Sequence, residues 1–215
     1  MQYCMDIFWN AMPATARATE RTRSSLTRDD WVMAATQVLE QKSIDAVRVD
    51  ALSRQLQVTR GSFYWHFRSR TELLDAVLTA WRNAATEQVI DRFERRRTSA
   101  EEQIRDLLTL PFRGDAARRA AETELAIRAW ARRDAMARKV VDEVDATRLS
   151  YIAQCFTALG LPLAEARLRA FTLYGYEVAE SLLASQGSDR QKRERRDFME
   201  WVLLNTPAGR GGAEA

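Results

Sequence analysis

From Leu26 to Asn205 the apolar residues recur every three or four positions, which is the spacing of one face of an α-helix. No run alternates in the way of a half-buried strand, so an all-α fold is expected. The first helix is announced by Thr27 as N-cap with Asp30 three residues on, and Leu26 and Trp31 are spaced as a hydrophobic staple. Its apolar side carries Val32, Ala35, Val38 and Leu39. A second helix, Val49 to Leu56, places Leu52 and Leu56 one turn apart. A third, Arg60 to Phe67 with Thr59 as its cap, puts Phe63 and Phe67 on one stripe. Only Gln57, Val58 and Thr59 separate these two helices, the layout of a helix-turn-helix. Ser69 opens a fourth helix, with Glu72 placed for a capping box and Leu73, Leu74, Val77 and Leu78 on its apolar side.

Beyond Arg70 the pattern is helix after helix: Thr71 to about Arg96, Glu101 to Leu110, Asp115 to about Arg133, Ala135 to Leu159, Leu163 to Ser185, and Asp189 to Asn205. Ser188 with Gln191 gives the last a capping box. Breaks fall at 97–99, at Pro111 to Gly114, at Gly160 to Pro162 and at Gly187–Ser188. The expected domains are an N-terminal extension over 1–25, a helix-turn-helix domain over 26–70 with its motif at about 48–67, a second helical domain over 71–205, and a disordered tail over 206–215.

The third helix carries the densest chemistry. At about 100° per residue, an inward Phe63 sends Gly61 and Trp65 outward, with Ser62 and Tyr64 on the flanks and Arg60 in the first turn. Large aromatics facing water need a reason. A nucleic-acid surface supplies one: Gly61 admits a close backbone, Arg60 suits phosphate or a guanine edge, and hydroxyl and indole groups donate to phosphate oxygens. Packing of Tyr64 and Trp65 on neighbouring helices is the competing explanation. His66, the single histidine, lacks companions at metal-ligand spacing, and no GxSxG-type elbow accompanies it, so neither a metal nor a catalytic role is expected.

These runs, LTRDDWVMAATQVLEQ and VRVDALSRQLQVTRGSFYWHFRSRTELLDAVL, resemble the tetracycline-repressor (TetR) family of bacterial transcription regulators over about a quarter of the chain. The resemblance implies that the third helix enters the major groove of DNA, with Arg60 to His66 as the reading segment. It places Thr59, Arg60, Gly61, Ser62, Tyr64, Trp65 and His66 at DNA and assigns Arg48 and Arg70 to phosphates. Two positions depart from the family pattern. Gln57 stands where a turn glycine is usual, so a left-handed backbone there costs on the order of 1 kcal/mol. Arg70 replaces the usual lysine, keeping the charge and adding a planar fork.

The chain has 215 residues, 46% of them hydrophobic, enough for one large or two small domains. A net charge of only +3 means that any hold on DNA must come from local arrangement and from doubling in a dimer. The first sixteen residues, MQYCMDIFWNAMPATA, lack a basic start and are interrupted by Asp6, so export is not expected, and Met5 and Met12 leave a later start open. Arg17, Arg21 and Arg23 belong either to a solvated tail or to an arm reaching DNA. With Cys4 and Cys155 far apart and no membrane-length apolar run, a cytoplasmic protein with no membrane partner is expected. No cofactor is expected.

The last two helices carry surplus apolar residues: Leu168, Phe171, Gly175, Val178 and Leu182 on one, Phe198, Trp201 and Val202 on the other. They are candidates for a homodimer interface, unless both stripes are used within one chain. Leu107, Leu108, Phe112, Trp130, Tyr151, Cys155, Phe156 and Tyr174 are candidates for lining a ligand cavity, with core packing as the other reading. The resemblance implies a small-molecule effector in this domain, a double-stranded operator as partner, and repression, or less often activation, by a homodimer. A protein-binding adaptor using Tyr64 and Trp65, with salt-insensitive binding, is an alternative of another class. A helical enzyme would need two buried carboxylates facing a cleft; Glu122, Glu124, Asp134, Asp142 and Glu143 are available, but their arginine-rich helices suggest surface pairs.

Overall fold

The computed structural model describes residues 26–96, 98–183 and 185–205. The expected 1–25 extension, with Arg17, Arg21 and Arg23, and the 206–215 tail lie outside the described residues. Among the described residues there is no strand, and the fold is all-α. The helices are α1 (Arg28–Gln41), α2 (Val49–Gln55), α3 (Arg60–Tyr64), α4 (Arg70–Arg82), α5 (Gln88–Arg96), α6 (Ala100–Thr109), α7 (Gly114–Ala131), α8 (Ala135–Ala158), α9 (Leu163–Leu182) and α10 (Asp189–Leu204). Short 3₁₀ turns occupy Ile44–Ala46 and Leu110–Phe112.

Local chemistry explains four of the helix starts. Thr27 and Asp30 cap each other reciprocally at α1, as do Ser99 and Glu102 at α6 and Ser188 and Gln191 at α10. Ser69 accepts from the Glu72 amide at 3.2 Å to start α4. The expected reciprocal bond from Glu72 to the Ser69 amide is replaced: its Oε2 accepts from the Arg68 amide at 2.8 Å, one residue further back. The helix expected to run from Thr71 to Arg96 is interrupted by a wider π turn, Asn83–Glu87, with Thr86 buried inside it. The break before α9 uses Gly160 at φ +90°, a left-handed conformation that a side chain resists, and Pro162 then caps α9.

The chain divides into two compact units, residues up to 89 with 119–144, and 90–118 with 145 onward. The division expected at residue 70 is therefore not where packing separates the chain. Leu73, Leu74, Val77, Leu78 and Trp81 of α4 are buried in one cluster with Trp31, Leu52, Phe63 and Phe67 of the first three helices. Ile127, Trp130 and Val141 belong to that same core. At its centre Phe63 meets Trp31 edge-on, with ring centroids 5.3 Å apart, and stacks on Phe67 at 5.5 Å.

The second unit buries Phe93, Ile104, Leu108, Phe156, Leu173 and Leu203. Its helices are also tied by charge. Arg195 of α10 grips the buried Glu180 of α9 with two bonds of 2.5 and 2.9 Å, and Arg105 of α6 donates to Glu200 of α10 at 2.8 Å. Arg169 donates to Glu165 within α9 and to the Leu203 carbonyl on α10.

Candidate nucleic-acid interface

The turn between α2 and α3 follows from one backbone conformation. Gln57 has φ +57°, the left-handed value that the resemblance, with its usual turn glycine, implied for this position. The Val58 amide donates to the Ser53 carbonyl and the Gln57 amide to the Arg54 carbonyl, the paired bonds of a Schellman motif. These bonds close α2 sharply and send the chain at once into α3. Regular helix there spans only Arg60–Tyr64, shorter than the expected run to Phe67, although the Phe67 amide still donates to the Phe63 carbonyl at 3.0 Å. The helix stops early because Arg68 and Ser69 are already engaged in starting α4.

This short helix is presented as its periodicity predicts. Phe63 is fully buried, whereas Tyr64 is 56% and Trp65 89% exposed. Arg60 and Gly61 are exposed, and Ser62 and His66 are half-buried. Thr59 occupies the N-cap position but its hydroxyl makes no capping bond. A Cβ on Gly61 would meet only that hydroxyl, at 3.6 Å, so the head's own packing does not require glycine there. Together these residues form an outward face of two aromatic rings, hydroxyls and one guanidinium over a rigid core. Such a face can stack on or donate to an anionic polymer. His66 contributes its backbone carbonyl to Arg28, and among the described residues no group of His, Cys, Asp or Glu is arranged to hold a metal.

Arg48 and Arg70, expected at phosphates, have acceptors within the chain. Arg70 donates from Nε to the Val47 carbonyl and from Nη2 to the Ile44 carbonyl, both at 2.6 Å, and Arg48 donates from Nε to the Asp45 carbonyl at 3.2 Å. The reason is local: where the 3₁₀ turn at Ile44–Ala46 ends, the Val47 carbonyl takes Arg70 Nε, and the same planar guanidinium adds a second donor to the Ile44 carbonyl, which also accepts from the Val47 amide at 3.2 Å.

Sequence reasoning missed a second brace. Arg28 of α1 lies 4.4 Å above the Phe67 ring and donates to the His66 carbonyl and to Glu72 Oε1. The Arg68 amide, and then Arg28, hold the Glu72 carboxyl below its ordinary range. The only local hint was an arginine in the first turn of a helix, where charge would favour an acid. Asp50, paired with Arg60 at 2.8 Å, was also missed.

The other candidate residues fall in different places. Leu168, Phe171, Leu182, Phe198 and Trp201 are between 60% and 71% exposed, Val202 is less so, Val178 is half-buried and Gly175 is open. Their stripe on α9 and α10 is thus uncovered by the rest of the second unit, and Phe198 stacks on Trp201 at 6.1 Å. Of the proposed cavity residues, Trp130 is committed to the core of the first unit, while Leu107, Leu108, Phe112, Tyr151, Cys155, Phe156 and Tyr174 belong to the second. Tyr174 donates to Asp145 at 2.6 Å and accepts from Arg148 at 3.2 Å, while the Cys155 thiol faces Gln103 at 3.4 Å. Burial pushes Cys155 up to about 11 and Tyr151 up to about 12, so both are neutral at ordinary pH and the thiol is not a nucleophile. A shallow groove of about 530 Å³ between α8 and α9 is lined instead by Leu149, Ala153, Thr157, Leu163, Arg167 and Phe171.

A tri-helical head with a Schellman turn and an outward aromatic helix defines a helix-turn-helix protein. Residues 32–77 match the family model of bacterial regulatory proteins, tetR family. The HTH-type transcriptional regulator SrpR of Pseudomonas putida is 35% identical over 66 residues, 31% of this chain. That match spans only 29% of the relative's length. A TetR-family transcriptional regulator from Rhodococcus sp., described as putative, shares the fold at TM-score 0.65 with 20% identity, covering 83% of this chain and 98% of that one. A transcriptional regulator from Saccharomonospora viridis, also described as putative and in complex with choline, does so at 0.67 with 15% identity, covering 83% and 96%. The N-terminal module, residues 32–77, is thus similar to the DNA-binding module of the tetR family of bacterial regulatory proteins, and the rest of the chain shares the fold of the solved regulators. Among the described residues no helix is long and apolar enough to cross a membrane.

Proposed function

We propose that this protein is a ligand-responsive transcription regulator that binds a roughly palindromic operator as a homodimer and represses until a small molecule releases it. The observation that carries this reading is the exposure of Tyr64 and Trp65 beside a fully buried Phe63 on one short helix. Thr59, Arg60, Gly61, Ser62, Tyr64, Trp65 and His66 would meet the major groove, while Arg48 and Arg70 stiffen the loop in front of α2. Two such helices reach half-sites about one DNA turn apart only in a dimer. The uncovered stripe on α9 and α10 supports pairing with a second copy.

The choline complex of the Saccharomonospora protein favours a small-molecule effector here as well, and the second unit is where we place it. Candidate contacts are Leu107, Leu108, Phe112, Tyr151, Cys155, Phe156 and Tyr174. An effector lowers operator affinity only if it binds better to the conformation whose reading helices are wrongly spaced.

Selecting bound fragments from random duplex DNA, then screening small molecules for release of the recovered site, tests the whole reading. Two recovered half-sites about one turn apart support it, and indifference to every duplex rejects it. Trp201→Asp should give monomers in sedimentation with poor operator affinity; persistent dimers would reject the interface. Salt-insensitive capture of a protein instead of DNA would favour an adaptor.

A further inference from the structure

Arg60 opens α3, and its Nε lies 2.8 Å from Oδ1 of Asp50 in the first turn of α2. Both side chains are more than half exposed, so the pair contributes little to folding. Arg54, one turn along α2, is the expected partner for the Asp50 carboxylate. Its Nε donates instead to the Asp50 backbone carbonyl at 3.2 Å, and the carboxylate faces Arg60.

A guanidinium paired on its Nε side still offers Nη1 and Nη2 as a parallel pair of donors at its far end. That fork matches O6 and N7 of guanine. An arginine without such a hold sweeps its stem across phosphates and bases alike. An ion pair with a carboxylate on the neighbouring helix biases where the fork points, at the cost of a negative charge near the phosphate chain.

We infer that Asp50 is a positioning residue for base recognition, holding Arg60 so that it reads a guanine edge rather than serving as a general phosphate contact. The inference rests on the proposed DNA-reading role of α3. It requires affinity and selectivity to move in opposite directions when the carboxylate is removed. A merely repulsive Asp50 would change affinity alone, and a merely structural one would change melting first.

The test uses the full chain and sites recovered from random duplex DNA. Arg60→Ala identifies the base pair whose preference depends on Arg60. Asp50→Asn should then bind competitor DNA severalfold more tightly, having lost one repulsive charge. It should also lose about tenfold of the guanine preference at that one pair, with unchanged preference elsewhere. Asp50→Glu should restore part of it. Retained guanine preference in Asp50→Asn, or a loss spread evenly over all positions, overturns the inference. If Asp50→Asn melts early, Arg60→Lys is read in its place: it keeps the charge but has no fork, so it should lose the same preference while keeping the salt dependence. A wild-type protein that recovers no preferred sequence rejects the DNA-reading role itself, whereas a selective wild type with an equally selective Asp50→Asn rejects only the part given to Asp50.

Discussion

Phe63 and Trp65 stand two residues apart on α3 and should respond to truncation in opposite ways. Phe63 is fully buried between Trp31 and Phe67, with ring centroids 5.3 and 5.5 Å away. Cutting it to alanine leaves a cavity in the middle of the head and should cost about 3–5 kcal/mol, a large part of the ~5–15 kcal/mol that holds an ordinary domain together. Trp65 is 89% exposed, so Trp65→Ala removes almost no packing and should stay within about 0.5 kcal/mol, or roughly 1–2 °C in Tm for a chain of this size. On DNA the order reverses. Losing an indole that stacks on or donates to the duplex should cost on the order of 1–3 kcal/mol, about five- to 150-fold in Kd. Thermal melting followed by circular dichroism gives the first comparison, and anisotropy titration of a labelled, selected duplex gives the second. A drop of more than about 5 °C for Trp65→Ala would show a packed rather than presented ring. Unchanged affinity would remove α3 from the DNA contact, and an unaltered melt for Phe63→Ala would refute the core described above.

Gln57→Gly should raise Tm by about 1–2 °C, because relief of a left-handed side chain, about 1 kcal/mol, is partly offset by the greater freedom of glycine in the unfolded chain, while Gln57→Val should lower it; equal melting of all three would contradict the turn geometry. Arg70→Ala should lower Tm by a few degrees through the orphaned Val47 carbonyl and the loss of a second donor to the Ile44 carbonyl, about 1–2 kcal/mol, without rescue by lysine. An unchanged melt with a weaker salt dependence of DNA binding would return Arg70 to the phosphates. Glu72 has its pKa lowered in the fold, chiefly by the Arg68 amide. Its stabilising contribution is therefore complete above the ordinary carboxylate pKa and lost as pH falls through the depressed value. The Tm gap between wild type and Glu72→Gln should close on acidification, and a gap constant with pH would exclude an ionised role. Glu40 is shifted the other way, raised chiefly by burial although it accepts from the Thr123 hydroxyl. Its charged form is the one the fold disfavours, so Glu40→Gln should melt higher than wild type near neutrality and lose that advantage at low pH.

What could be read from the residues, and what could not, divides by range. Caps such as Thr27 with Asp30 and Ser188 with Gln191 are interactions across three residues, so residue spacing suffices to place them. The inward Phe63 and outward Trp65 follow from 100° per residue, whereas the left-handed Gln57 was suggested only by the resemblance, at a position where a turn glycine is usual. An apolar stripe shows which face is buried but not against what, which is why Trp130 was open to either a ligand contact or core packing and is found in the core with Trp31 and Phe63. The π turn at Asn83–Glu87 has no strong sequence signature, and the three- and four-residue spacing runs through it.

Arginines were the least legible residues, because a long flexible cation takes its acceptor from tertiary neighbours. Arg28 finds Glu72 across 44 positions, Arg70 finds Ile44 across 26, and Arg60 finds Asp50 on the preceding helix. Arg48, Arg60 and Arg70, all expected at DNA, therefore have acceptors in the free chain. A duplex meeting this head would encounter guanidiniums already oriented rather than loose. Less side-chain freedom is then lost on binding, and the geometry of those internal bonds, more than the modest net charge of +3, decides which base edges the head can match.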